Sequence, residues 1–166
     1  QQERAPIPVS WSGLGSARIV DFAVGGEYVL ALDSMNRVWG WGYNYYYTLG
    51  DGGSNTTRYS PVLTNLTNLG SSKPVALGAG HYHSFLLDDS GRLWAWGTGN
   101  YRMGIGNTSN SSLGRTPVLV DNGALGANKF TQMSASYEHN LALDNTNRLF
   151  SWGSNSSGKL GFEDGS

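Results

Sequence analysis

His81 and His83 are the residues of this sequence best spaced for metal chemistry, because an i, i+2 pair on an extended strand projects both imidazoles from one face and could hold zinc. No third ligand is spaced nearby, and His83 shares a repeated position with His139, which is better explained by a structural side chain bonding a turn. Asp33, Asp88 and Asp144 offer carboxylates for acid–base work. They too recur with a repeat, as expected of turn-capping residues that pair with Arg37, Arg92 and Arg148 across a hairpin. No Ser-His-Asp order, Walker loop, dinucleotide fingerprint or EF-hand loop is present, and Gly97-Thr98-Gly99 lacks a third glycine. The expectation is a protein that is not an enzyme, with no catalytic residue, cofactor or metal.

The informative residues are those where the repeated copies disagree, since a shared scaffold does not dictate them. Tyr43, Tyr45, Tyr46 and Tyr47 crowd one loop whose counterparts are Thr98, Asn100, Tyr101 and Arg102, then Ser154, Ser156 and Ser157. Rigid amphipathic rings on loops give contact area at little entropic cost. Together with Arg58, Tyr59, Tyr101 and Arg102 these tyrosines form the candidate binding surface; the alternative is that some of the rings merely cover blade edges. Five Asn-x-Ser/Thr triplets, at Asn55, Asn65, Asn107, Asn110 and Asn155, fall in loops and point to glycosylation of a secreted chain.

The elements that position these residues are written in triplicate. Gly25-Gly26-Glu27-Tyr28-Val29-Leu30-Ala31-Leu32-Asp33 recurs from Gly80 to Asp88 and from Ser136 to Asp144, and each copy runs on through an Arg to a Trp-Gly pair at Trp41, Trp96 and Trp152. A period of about 55 residues marks a supersecondary unit repeated in space. Alternation in Val20-Asp21-Phe22-Ala23-Val24 and in Val29-Leu30-Ala31-Leu32 predicts strands with two distinct faces, and no helix is indicated anywhere. Asn36, Gly91 and Asn147 share the turn slot that needs a left-handed residue. Four short strands with their turns fit one period, so each repeat reads as a propeller blade.

A net charge of -1 supplies no basic surface, which disfavours nucleic acid as a main partner. No cysteine is present, so disulfides and thiolate chemistry are excluded, and the longest apolar runs fall far short of the roughly 20 residues a membrane helix needs. The opening Gln1-Gln2-Glu3 without Met fits a mature terminus left by signal removal, or a fragment.

These residues resemble the regulator of chromosome condensation repeat, whose pattern runs Gly-x-x-His, strand, Leu-Asp, Gly turn, Trp-Gly, loop, Leu-Gly. It reads here as Gly80, His83, Leu87-Asp88, Gly91, Trp96-Gly97, and as His139, Leu143-Asp144, Trp152-Gly153, Leu160-Gly161. The first copy closes with Leu49-Gly50, and the second is expected to close with Ile105-Gly106 after one inserted residue. Pro61-Val62 and Pro117-Val118 match the element preceding each repeat, with Pro8-Val9 at the front; Tyr28 departs from the pattern by replacing the histidine. The resemblance implies a propeller fold, and among relatives small-GTPase nucleotide exchange, chromatin docking, ubiquitin-ligase modules and ultraviolet-B reception. The photoreceptor's Gly-Trp-Arg-His-Thr motif is absent.

The resulting expectation is an all-β chain of three four-stranded propeller-type blades, one domain over 1–166 with repeat units of approximately 4–57, 58–114 and 115–166. The family ring has seven blades and three cannot close one, so the expected role is that of an extracellular binding or structural protein whose partners are copies of itself, packed head to tail into a ring or filament through open blade faces. The alternative is a cytoplasmic or nuclear fragment of a seven-bladed propeller, acting as a protein-interaction module or GTPase regulator.

Overall fold

The computed structural model describes residues 4–106, 113–121 and 123–163. Antiparallel sheet dominates. The first sheet is a meander of β1 (Ile19–Val24), β2 (Tyr28–Asp33), β3 (Val38–Gly42) and β4 (Arg58–Leu63). The second repeats it with β5 (Pro74–Ala79), β6 (His83–Asp88), β7 (Leu93–Gly97) and β8 (Val118–Leu119). The third contains β9 (Phe130–Ala135), β10 (His139–Asp144) and β11 (Leu149–Gly153), so among the described residues it has three strands, not the expected four. The outer strand is the reason. Arg58–Leu63 opens the second sequence repeat yet pairs with β3 of the first sheet, and Val118–Leu119 of the third repeat likewise pairs with β7 of the second. Blades and sequence repeats are thus out of step by one strand.

Each hairpin is set by local chemistry. Asp33 Oδ1 accepts from the Met35 and Arg37 amides while Oδ2 accepts from Arg37 Nε at 2.7 Å and Trp39 Nε1 at 2.9 Å. Asp88 binds Ser90, Arg92 and Trp94 in the same way. At Asp144 the indole is missing because Phe150 stands there, and Thr146 Oγ1 donates instead. Asn36, Gly91 and Asn147 take φ of 61°, 77° and 65°, the left-handed slot the sequence predicts. Burial works against ionising these carboxyls, but the converging donors outweigh it and hold all three below the ordinary carboxylate range.

The core lies between blades. One cluster joins Tyr28, Leu30 and Leu49 of the first blade to Leu77, Leu86 and Trp96 of the second; another joins Phe85, Leu93 and Met103 to Phe130 and Ala142 of the third. Polar bonds run across the same junctions. Trp96 Nε1 donates to the Thr48 carbonyl at 2.7 Å, and Trp152 Nε1 donates to the Arg102 carbonyl at 2.9 Å. Tyr28 Oη donates to the His83 carbonyl, while Ser84 Oγ donates to Thr48 O; one blade on, His83 Nε2 meets Asn140 Oδ1 and Asn140 Nδ2 donates to Arg102 O. Tyr28 therefore does the repeated histidine's job from the first copy.

Two sequence readings need correction. A single helical turn, α1 (Asn100–Met103), occurs where no helix is expected. It shortens the second loop by one residue, so Met103-Gly104, not Ile105-Gly106, is the counterpart of Leu49-Gly50. Leu49 and Met103 are both fully buried, and Gly50 and Gly104, with φ of 63° and 68°, both lie under the indole nitrogen of the next blade's Trp.

Candidate binding surface

The tyrosine loop is shaped by what it hides. Asn44 is buried, its Nδ2 donating to the Ser54 carbonyl and its Oδ1 accepting from the Leu49 amide. Thr48, also buried, donates to the Tyr43 carbonyl at 2.7 Å. With these two side chains turned inward, Tyr43, Tyr45 and Tyr46 cluster outside: Tyr43 stacks on Tyr45 at 6.2 Å, and Tyr45 meets Tyr46 edge to face at 5.5 Å.

From there the rings continue across all three blades. Tyr46 lies 4.3 Å from Tyr82, Tyr82 lies 3.8 Å from His81, and His81 lies 4.0 Å from Tyr137. His81, Tyr82 and Tyr137 belong to the turns before the second strand of the second and third blades; sequence reasoning took His81 only as a candidate metal ligand and passed over Tyr82 and Tyr137. The available signal was the same disagreement between copies: Gly26-Glu27, His81-Tyr82 and Tyr137-Glu138 occupy one repeated slot. His81 folds over Gly26, where an added Cβ would come within 2.8 Å of His81 Nδ1. The neighbours partly desolvate the Tyr43 and Tyr82 hydroxyls, and the Tyr46 and Glu27 charges add to this, so both phenols titrate above their ordinary value.

The remaining predicted residues divide. Tyr47 leaves the ridge, taking φ of 60° and sitting under the Arg115 guanidinium. Arg58 pairs with Asp51 at 2.7 Å, and Tyr59 beside it is 94% exposed. Both line an open recess of about 390 Å³ with Glu27, Trp41, Tyr43 and Thr57. Tyr101 carries the Arg102 guanidinium at 4.7 Å, and Arg102 pairs with Glu138, next to the Tyr137 end of the ridge.

The two histidines do not share a site. His83 is buried on β6, where burial foremost, with the Arg102 charge, pushes its imidazole down to about 4 despite the bond to Asn140; His81 precedes the strand and joins the surface rings. No cluster of three His, Cys, Asp or Glu that could hold a metal occurs among the described residues. Of the glycosylation triplets, Asn65 is exposed and accepts from Thr67 Oγ1, and Asn55 is half-buried. Asn155 repeats Asn44: its Oδ1 accepts from the Leu160 amide and its Nδ2, the atom a glycan would need, donates to Phe162 O. Asn107 and Asn110 lie outside the described residues.

Stacked antiparallel blades carrying a loop-built surface define a β-propeller repeat protein. The Regulator of chromosome condensation (RCC1) repeat matches residues 36–87 and 90–143, and a second description of the same repeat matches 75–102 and 130–159. The chain belongs to the RCC1 repeat family. It is similar to the human E3 ubiquitin-protein ligase HERC2, 31% identical over 92% of this chain and 3% of that protein, and to the ultraviolet-B receptor UVR8 of Arabidopsis thaliana, 28% identical over 96% of this chain and 34% of the receptor. Among solved structures, Prp20p of Saccharomyces cerevisiae, described with its binding to Gsp1p and histones, superposes with a TM-score of 0.72 at 30% identity, covering 88% of this chain and 34% of Prp20p. The chain thus spans about a third or less of each of these relatives.

Proposed function

We propose that this chain is a non-enzymatic protein-interaction module whose contact surface is the ridge running from Tyr45 and Tyr43 through Tyr46, Tyr82 and His81 to Tyr137. The observation that carries this reading is the unbroken ring contact across three blades, with Tyr45 57% and Tyr137 60% exposed. Rigid tyrosines are the residues interfaces use as anchors. Prp20p's binding to Gsp1p and histones supports a partner that is a protein, in a nuclear or cytoplasmic setting in preference to a secreted one. A small GTPase is one such partner to try. The test is quantitative capture with the chain as bait, comparing the unaltered protein with a Tyr46→Ser/Tyr82→Ser variant of unchanged circular dichroism. Partners lost from the variant support the ridge; an identical partner set sinks it.

A second reading, packing of copies through the open blade faces, is favoured by the exposed apolar side chains Val20, Phe22 and Val24 on β1. Phe22 is the counterpart of Leu77 and Met133, which pack into the two inter-blade clusters. The polar latch could not be reproduced in such a contact, since Val29 stands where Ser84 and Asn140 stand. Sedimentation velocity over a hundredfold range of concentration reads it; a constant monomer removes it. That second reading is of a secreted chain, and with it alone goes glycan attachment at Asn55 and Asn65 among the described triplets; intact mass with and without glycosidase reads that.

A further inference from the structure

We propose that the recess between Glu27, Trp41, Tyr43 and Tyr59 binds an organic cation, the ammonium or guanidinium head of a basic side chain on the partner. This deepens the interaction-module reading and rests on it. Three aromatic side chains converge on one open cavity of about 390 Å³ at the junction of β3 and β4. Two of them are fixed from behind: Trp11 packs edge-on against Trp41 at 5.4 Å, and Tyr43 is held by Tyr45 and Tyr46. Ring faces around a cavity attract cations through their quadrupoles, more strongly as the cation sheds water.

Charge gives the second, independent indication. Glu27 lines the recess, is exposed, and makes no side-chain hydrogen bond or ion pair within the described residues. Its carboxylate is close enough to Tyr43 to raise that phenol's titration. The other charge in the wall is already answered, since Arg58 gives Nε and Nη2 to Asp51 Oδ2 and Nη1 to Thr56 Oγ1. The recess therefore presents three aromatic side chains and one unpaired negative charge, complementary to a cation and unsuited to an anion.

Lys, trimethyl-Lys and Arg share this chemistry, and the experiment separates them. The full chain is titrated with blocked tripeptides bearing each residue, and with a neutral tert-butyl isostere of trimethyl-Lys, while the Trp41 indole N–H resonance is followed; a Trp41→Phe spectrum assigns that resonance. A saturable shift with at least one cationic peptide, at least about fivefold tighter than with the neutral isostere, is expected. Glu27→Gln and Tyr59→Ser, both exposed and compatible with the fold, should each weaken it about fivefold or more. Equal binding of the neutral isostere, an unchanged affinity in Glu27→Gln, or no saturable shift with any cation overturns the proposal. Loss of cation binding with partner capture intact would sink this inference alone, whereas failure of the ridge variant to lose partners sinks the reading beneath it.

Discussion

His83 Nε2 lies 2.9 Å from Asn140 Oδ1 across the junction of the second and third blades, inside a shell where His83 is fully buried. The geometry requires a proton on Nε2, since Asn140 Nδ2 is committed to the Arg102 carbonyl and only its oxygen faces the ring, and burial keeps that imidazole neutral. Neutrality is cheap in the fold and expensive to lose.

Stability should therefore depend on pH above the range where carboxylates titrate. His83 titrates near 4 when folded against an ordinary 6.5, so between these values the unfolded chain takes up a proton that the folded chain refuses. Unfolding free energy falls as pH drops through that window, by on the order of 3 kcal/mol in all. Urea denaturation at pH 7 and pH 4.5 reads the slope. His83→Gln, which can still donate to Asn140, should flatten it.

Replacing Asp88 with Asn leaves one acceptor oxygen for two backbone amides, Arg92 Nε and Trp94 Nε1. The expected loss is about 2–4 kcal/mol. Because the folded carboxyl titrates below its ordinary value, the stabilisation is present above the ordinary carboxylate pKa and is lost as pH falls through the lowered folded value. Denaturation of Asp88→Asn and the unaltered chain should converge in strong acid; a gap that persists unchanged there would show that the charge is not what matters.

Gly104→Ala should cost more than Gly126→Ala, although both glycines have nearly the same positive φ, 68° and 66°. At Gly126 an added methyl meets nothing within 4 Å, leaving only the backbone penalty of about 1–2 kcal/mol. At Gly104 it would stand 2.8 Å from Trp152 Nε1 and push the indole off the Arg102 carbonyl. Faster exchange of the Trp152 indole proton in Gly104→Ala, but not in Gly126→Ala, is the signature.

Asn44→Ala strips the tyrosine loop of both bonds made by the Asn44 side chain and leaves the buried Leu49 amide without an acceptor, at about 1–3 kcal/mol. Asn155→Ala removes the same pair of bonds from a half-exposed site in the third blade and should cost less. Only the first should also disturb partner binding, because only that loop carries ridge residues. Thermal melts together with capture on the intact chain compare the two.

Much of the fold was legible because its signals are short-range. Asp33 reaches Arg37 and Trp39 within six residues, so the hairpin is written in a few consecutive letters and then repeated twice. The missed helical turn at Asn100–Met103 was harder, because a one-residue deletion in a glycine-flanked loop looks the same as an insertion when Leu-Gly is the only landmark. Burial resolved it: Met103 fills the place of Leu49. The binding surface was half legible. Tyr43, Tyr45 and Tyr46 declared themselves by crowding, whereas His81-Tyr82 and Tyr137 lie in two separate turns 55 or more residues apart in the chain, and nothing marks them as one surface until the blades stack.

By itself the sequence determined the repeat, the strand alternation, the left-handed turn slots at Asn36, Gly91 and Asn147, and the Asp-Arg pairs, since each depends on dihedral preference and on partners a few positions away. The tertiary structure alone decided which strand closes which sheet, that Tyr28 and His83 latch onto Ser84 and Asn140, and that rings from three repeats form one ridge. The latch contacts join residues 56 and 57 positions apart, and their geometry is fixed by how one twisted sheet packs on the next, a choice that no local preference encodes.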